Sequence, residues 1–104
     1  MAVNQPATEA TVELRLRVPR GAAGGLVVGG EDVLTGVDGV VRAAVESVAN
    51  VRPAPADIYV DATATLTLRA ADDRAAVERR VAAGFGVESV ATVELRATDS
   101  RECG

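Results

Sequence analysis

Carboxylates are the side chains of this 104-residue chain with the most scope for chemistry. Adjacent acids occur twice, as Glu31-Asp32 and Asp72-Asp73, and Asp57 and Asp61 recur on one parity of a single segment. Paired carboxylates can share a proton or hold a divalent cation. Both adjacent pairs are expected near helix N-termini, where the dipole favours the ionised form, whereas a general acid at neutral pH needs its pKa raised. Capping and solubility suit them better. On a strand, Asp57 and Asp61 would stand about 13 Å apart, too far to share an ion.

Nucleophilic catalysis has less to work with. The chain has no His and no Lys, its eleven basic residues all being Arg. Without imidazole there is no proton shuttle at neutral pH, and without an amine there is no Schiff base or P-loop lysine. Ser47 is expected in a helix, Ser89 at the start of a strand and Ser100 in a tail, none with a His base. The single Cys103 rules out an intrachain disulfide and reads as an exposed thiol on the C-terminal tail. With no His and one Cys, zinc and copper sites within one chain are excluded. A weak Mg²⁺ or Ca²⁺ site between subunits stays open. The expectation is no catalytic residue, no metal and no cofactor.

Residues 20–30 hold five glycines in eleven positions. A phosphate loop would need backbone N–H groups aimed at an anion. Neither G-x-G-x-x-G nor G-x-x-x-x-G-K-[ST] is present, and Glu31-Asp32 place negative charge where the anion would sit. The segment therefore reads as a flexible connector. Gly24, Gly25, Gly29 and Gly30 form a candidate loop site, with Tyr59, for a small molecule at a subunit interface. Alternatively, Leu26-Val27-Val28 docks onto a neighbouring subunit.

The elements around these residues are announced by a repeat. Ala10-Thr11-Val12-Glu13-Leu14-Arg15 returns unchanged as residues 91–96, and Ala64-Thr65-Leu66-Thr67-Leu68-Arg69 is a variant. Each copy alternates apolar and polar residues, the pattern of a half-buried strand. The first strand runs from Ala10 to Val18 and stops at Pro19. Val33, Leu34, Val37, Val40, Val41, Ala44, Val45 and Val48 recur at helical spacing and predict a first helix, or a shorter one from Gly39 to Asn50 capped by Asp38. The longest alternation, Asp57 to Ala70, predicts one long bent strand in preference to a hairpin. Asp72 caps a second helix with Val77 and Val81 in the core, ended by Gly84 or Gly86. A last strand from Val87 to Thr98 points Ala91, Val93, Leu95 and Ala97 inward.

The expected fold is α+β, a two-layer sandwich of order β-α-β(β)-α-β with helices on one face of a three- or four-stranded sheet, ferredoxin-like if the middle segment is a hairpin. One domain is expected over residues 10–98, with flexible tails at 1–9 and 99–104. Small side chains, 20 Ala and 18 Val, make a thin core that would lean on good packing or on a partner chain. The Gly86-Val87-Glu88-Ser89-Val90 junction after the second helix resembles that of several small α/β domains, the BON domain and the alkaline-shock protein family among them. That resemblance brings no functional residues with it.

The polar sheet face carries Arg15, Arg17, Arg69 and Arg96 against Glu13, Asp57, Asp61, Glu88 and Glu94. That leaves it near minus one, on a chain of net charge −4 with a pI near 4.7. RNA-binding sheets need stacking aromatics, and Tyr59 is the only one on this face. Nucleic acid is not an expected partner, and no apolar run reaches the ~20 residues that would cross a bilayer. The candidate interface is Arg15, Arg17, Tyr59, Arg69, Glu94 and Arg96. The chain reads as a small non-enzymatic cytoplasmic module that associates with itself or with a larger protein, as scaffold, accessory or structural subunit. The alternatives are a small-molecule-binding or biosynthetic accessory protein and a viral or particle-shell subunit.

Overall fold

The computed structural model describes residues 7–21, 25–69 and 73–96. Its elements are β1 (Ala7–Pro19), α1 (Gly25–Thr35), β2 (Val40–Pro53), β3 (Asp57–Arg69), α2 (Arg74–Ala82) and β4 (Val87–Leu95). The strands form one open antiparallel sheet in the order β2-β3-β1-β4. Alternation decides which side of it is covered. Ala10, Val12, Leu14, Leu16 and Val18 of β1 and Val60, Ala62, Ala64, Leu66 and Leu68 of β3 are buried, together with Leu34 of α1 and Val77 and Val81 of α2. Both helices therefore lie against the same face, and the Thr, Glu and Arg row looks away from them. β1 begins at Ala7, earlier than the repeat alone suggests.

The alternation from Asp57 onward is one uninterrupted strand to Arg69, with Ala70 outside the described residues. Its hairpin partner is not part of that segment but the preceding one. Residues 40–50, read from sequence as helix, belong to β2, so neither a helix spanning Val33 to Val48 nor one from Gly39 to Asn50 exists. The misreading has a geometric cause. Extra residues at Val41, Glu46 and the Asn50-Val51 step interrupt the β2–β3 register. The half-buried residues facing the core are then Val40, Ala43, Val45 and Val48, a spacing of three, two and three that imitates a helix.

The first helix lies upstream instead, in the glycine-rich stretch expected to be a connector. Glycine in a helix costs up to about 1 kcal/mol, so packing must hold α1 in place. A Cβ on Gly30 would stand 3.3 Å from Val45 Cγ2 and 3.4 Å from Leu16 Cδ1. Its absence brings the helix close to β1 and β2 and seats Leu34 in the core. Glu31 and Asp32 consequently fall in the second half of α1, not near its N-terminus. The dipole argument does not apply to them.

At α2 the cap is Asp73, whose carboxylate accepts the Ala76 N–H at 2.8 Å, while Asp72 is outside the described residues. Arg79 and Arg80 occupy the last turn, where the dipole favours cations.

The two halves of the chain repeat one design. After each helix, Val37 N–H donates to Leu34 O at 3.0 Å and Val40 N–H to Val37 O at 3.1 Å, as Gly84 N–H does to Val81 O at 3.0 Å and Val87 N–H to Gly84 O at 3.2 Å. Both turns close on a left-handed glycine, Gly39 at φ 91° and Gly86 at φ 92°. Gly39 O accepts the Arg69 N–H of β3 at 2.8 Å, and Gly86 O accepts the Arg17 N–H of β1 at 2.7 Å. A pseudo-twofold thus relates β1-α1-β2 to β3-α2-β4.

The likeness extends into the edge strands. Val45-Glu46-Ser47-Val48-Ala49 and Val87-Glu88-Ser89-Val90-Ala91 are identical pentapeptides. In each, the glutamate is the extra residue of a bulge and both valines face the core. A second bulge at Ala91 turns it outward, so Val90, not Ala91, packs inward beside Val93 and Leu95. Ala97 and Thr98 are outside the described residues.

Candidate functional site

The uncovered sheet face holds its side chains in a cross-strand network. Arg15 of β1 pairs directly with Asp61 of β3, its Nε donating to Asp61 Oδ1 at 2.9 Å and its Nη2 to Oδ2 at 3.5 Å. Asn50 reaches the same carboxylate from β2, with Nδ2 2.8 Å from Oδ2. It does so from the irregular step in that strand, where its own φ is +51°, a left-handed conformation that Asn tolerates better than most residues. The Arg15 hydrogen bond, followed by that of Asn50, holds the Asp61 carboxyl below its ordinary pKa, and Asp61 in turn raises that of Arg15.

Next along the face, Arg17 and Tyr59 are register partners between β1 and β3, and Arg52 of β2 is opposite Tyr59 on the other side. Arg17 ion-pairs at 3.6 Å with Glu88, the bulged residue of β4, and its guanidinium lies 5.3 Å from the centre of the Phe85 ring. The matching bulge residue of β2, Glu46, accepts the Thr65 hydroxyl at 2.6 Å. Each edge strand thus uses its bulge to swing a glutamate over a central strand. A hollow of about 340 Å³ opens beside Tyr59, lined by Arg15, Asn50, Arg52 and Glu88 among others.

Of the sequence-derived interface residues, Arg15, Arg17 and Tyr59 come together at this end of the sheet. Arg69, Glu94 and Arg96 stand at the opposite end: Arg69 opposite Ala7, Glu94 opposite Thr11, and Arg96 3.9 Å from Glu9. Arg15, with a side chain 44% exposed, is open to a partner even while bound to Asp61.

The loop-site glycines have a different setting. Gly24 is outside the described residues, Gly25 begins α1 at φ 84°, and Gly29 and Gly30 are buried in it. Gly29 lines a cleft of about 510 Å³ with Asp32, Val33 and Gly36 from the α1 side, Arg17, Pro19 and Asp57 from the sheet end, and Phe85-Gly86. Tyr59 does not line it. Within the single chain the glycines and Tyr59 therefore line two separate hollows.

Ser47 lies in β2 and Ser89 in β4, while Ser100 and Cys103 are outside the described residues. Among the described residues, no three acidic or sulfur side chains gather as a metal site, and no helix is long and apolar enough to cross a membrane. Sequence reasoning missed Asn50, Arg52, Glu46 and Phe85. The pentapeptide repeat could have found Glu46 by analogy with Glu88, since both copies stand in plain view.

Comparison with known proteins gives no matching family model, no matching curated protein and no matching solved structure.

Proposed function

We propose that this chain is a non-enzymatic, self-associating scaffold or structural subunit of the cytoplasm, built in the ferredoxin-like arrangement. The element order together with the strand order β2-β3-β1-β4 supports that arrangement. The observation that carries the functional reading is the uncovered sheet face. A central strand of thirteen residues, Asp57 to Arg69, keeps its polar row half-exposed from Asp57 to Thr67, among side chains tied to one another across four strands. Such a face is ordered before anything meets it, which lowers the entropy lost on docking.

The cleft beside Gly29 favours a second reading, a small-molecule-binding accessory protein. It presents the Phe85 ring, Val33 and Pro19 together with Asp32 and Asp57. Native mass spectrometry of freshly purified protein separates the two. A multimer without excess mass is expected. A monomer retaining a small molecule would overturn the first reading and promote the second.

A further inference from the structure

Two copies of one pentapeptide already pair with each other inside this chain. In the β1–β4 ladder Ala10 faces Leu95, Thr11 faces Glu94, Val12 faces Val93 and Glu13 faces Thr92. Residues 10–14 and 91–95 are both Ala-Thr-Val-Glu-Leu. The register is therefore the one that a twofold axis through Val93 would generate: Val against Val, each Thr against a Glu. The segment is self-complementary, and the chain demonstrates the pairing with its own β1.

β4 is an outermost strand, with β1 as its sheet neighbour. From Thr92 to Leu95 its register against β1 runs without interruption, the bulges falling at Glu88 and Ala91. The other edge is different. β2 is broken by three register shifts, and the Glu31 carboxylate of α1 accepts the Val45 N–H at 3.0 Å. Bulges and a covering side chain are devices that blunt an edge against further pairing. β4 carries two bulges of its own, but both lie before the 92–95 stretch, whereas Glu31 covers β2 within its longest regular run.

Resting on the self-association reading above, we propose that a second copy of this chain pairs through β4, antiparallel and twofold about Val93, to form one continuous eight-stranded sheet. In that register Thr92 of one copy opposes Glu94 of the other on the open face, repeating Thr11–Glu94 and Glu13–Thr92. Val93 meets its own counterpart on the helix-covered face, where Val90 and Leu95, half-buried in the single chain, continue the core across the joint. The axis stands perpendicular to the sheet, so both helix layers share a side and both polar faces stay open. The interface is isologous and closes at two copies.

The test uses nitroxide labels on the full chain carrying Cys103→Ser, with either Thr92→Cys or Thr63→Cys, alongside sedimentation of each labelled protein. Thr92 and its counterpart are diagonal neighbours, about 7–8 Å apart. Thr63, in the middle of β3, is separated from its counterpart by five strand spacings, about 24 Å. A dimer with strong dipolar broadening at 92 and a distance near that figure at 63 is the expected result. A dimer with the labels at 63 close together would mean that the open faces stack; the edge pairing would be wrong and self-association would stand. A monomer at all concentrations would remove both.

Discussion

Gly39 and Gly86 occupy equivalent places in the two halves, with φ of 91° and 92°, so alanine at either should meet the same backbone penalty. That penalty is of order 1–3 kcal/mol for a residue held in a sparsely populated region. What the new methyl would touch differs. At Gly86 it would stand 2.8 Å from Val33 Cγ1 and 3.4 Å from Arg17 O. Val33 is a β-branched residue in α1 with one preferred rotamer, so the helix must shift, and overpacking of this kind adds about 1–3 kcal/mol. At Gly39 the methyl would stand 3.2 Å from Arg69 O, but the nearest atom is the far end of the flexible Arg80 side chain, which can swing aside at the expense of contacts that include its 3.0 Å hydrogen bond to Arg69 O. Gly39→Ala should therefore cost about 1–3 kcal/mol and Gly86→Ala about 2–6 kcal/mol. Urea denaturation reads the difference: with a slope of about 1–3 kcal/mol per molar, the midpoint of Gly86→Ala should fall visibly below that of Gly39→Ala. Adding Val33→Ala should return part of the loss to Gly86→Ala and none to Gly39→Ala. Equal midpoints for the two glycine variants, or a Val33→Ala rescue of both, would refute the packing argument.

Leu34, fully buried between α1 and the sheet, should cost about 2–5 kcal/mol as alanine, measured by the same denaturation. Glu31→Ala should cost about 1–3 kcal/mol by stranding the part-buried Val45 N–H, and amide exchange at Val45 should accelerate. Asp61 has its folded pKa lowered by Arg15 and then Asn50. Its contribution is complete above the unfolded carboxylate value of about 3.9 and disappears as pH falls through the lower folded value. Stability of the parent protein should thus drop more steeply below about pH 4 than that of Asp61→Asn, and parallel acid titrations of the two would contradict this. Phe85, 88% exposed and touched by the Arg17 guanidinium, should cost no more than about 1 kcal/mol as alanine, as thermal unfolding can check.

The parts of the fold legible in the sequence are those where one residue in two faces the core without interruption. β1 and β3 are of this kind, paired over their full lengths without a register shift, and their buried rows can be read directly from parity. α2 is legible from its acidic start and two valines, though its cap is Asp73 and not Asp72. The region 25–53 is not. There, bulges turn a strand's spacing into a helix's, and a helix is made from residues that disfavour one, because Gly30 is needed for close approach to Leu16 and Val45. Tertiary contact overrides local preference at both places. The polar face follows the same division. Arg15 and Asp61 share parity on regular strands and could be expected to meet. Asn50 and Glu46 arrive from irregular steps of a strand that reads as a helix, which no count of alternate residues can place.

The position of β1 has a kinetic meaning. It precedes β2, β3 and β4 in the chain, yet it lies in the interior of the sheet between β3 and β4, its neighbours beginning at Asp57 and Val87. Neither ladder of β1 can form before those segments exist, so every pairing that it makes closes a long loop. Folding should be slower than for a helical bundle of this size, in the range of non-local β topologies. Until β4 arrives, β1 offers a free edge of sequence Ala-Thr-Val-Glu-Leu to any chain bearing the same letters. β4 is therefore what keeps β1 from pairing with a neighbour's.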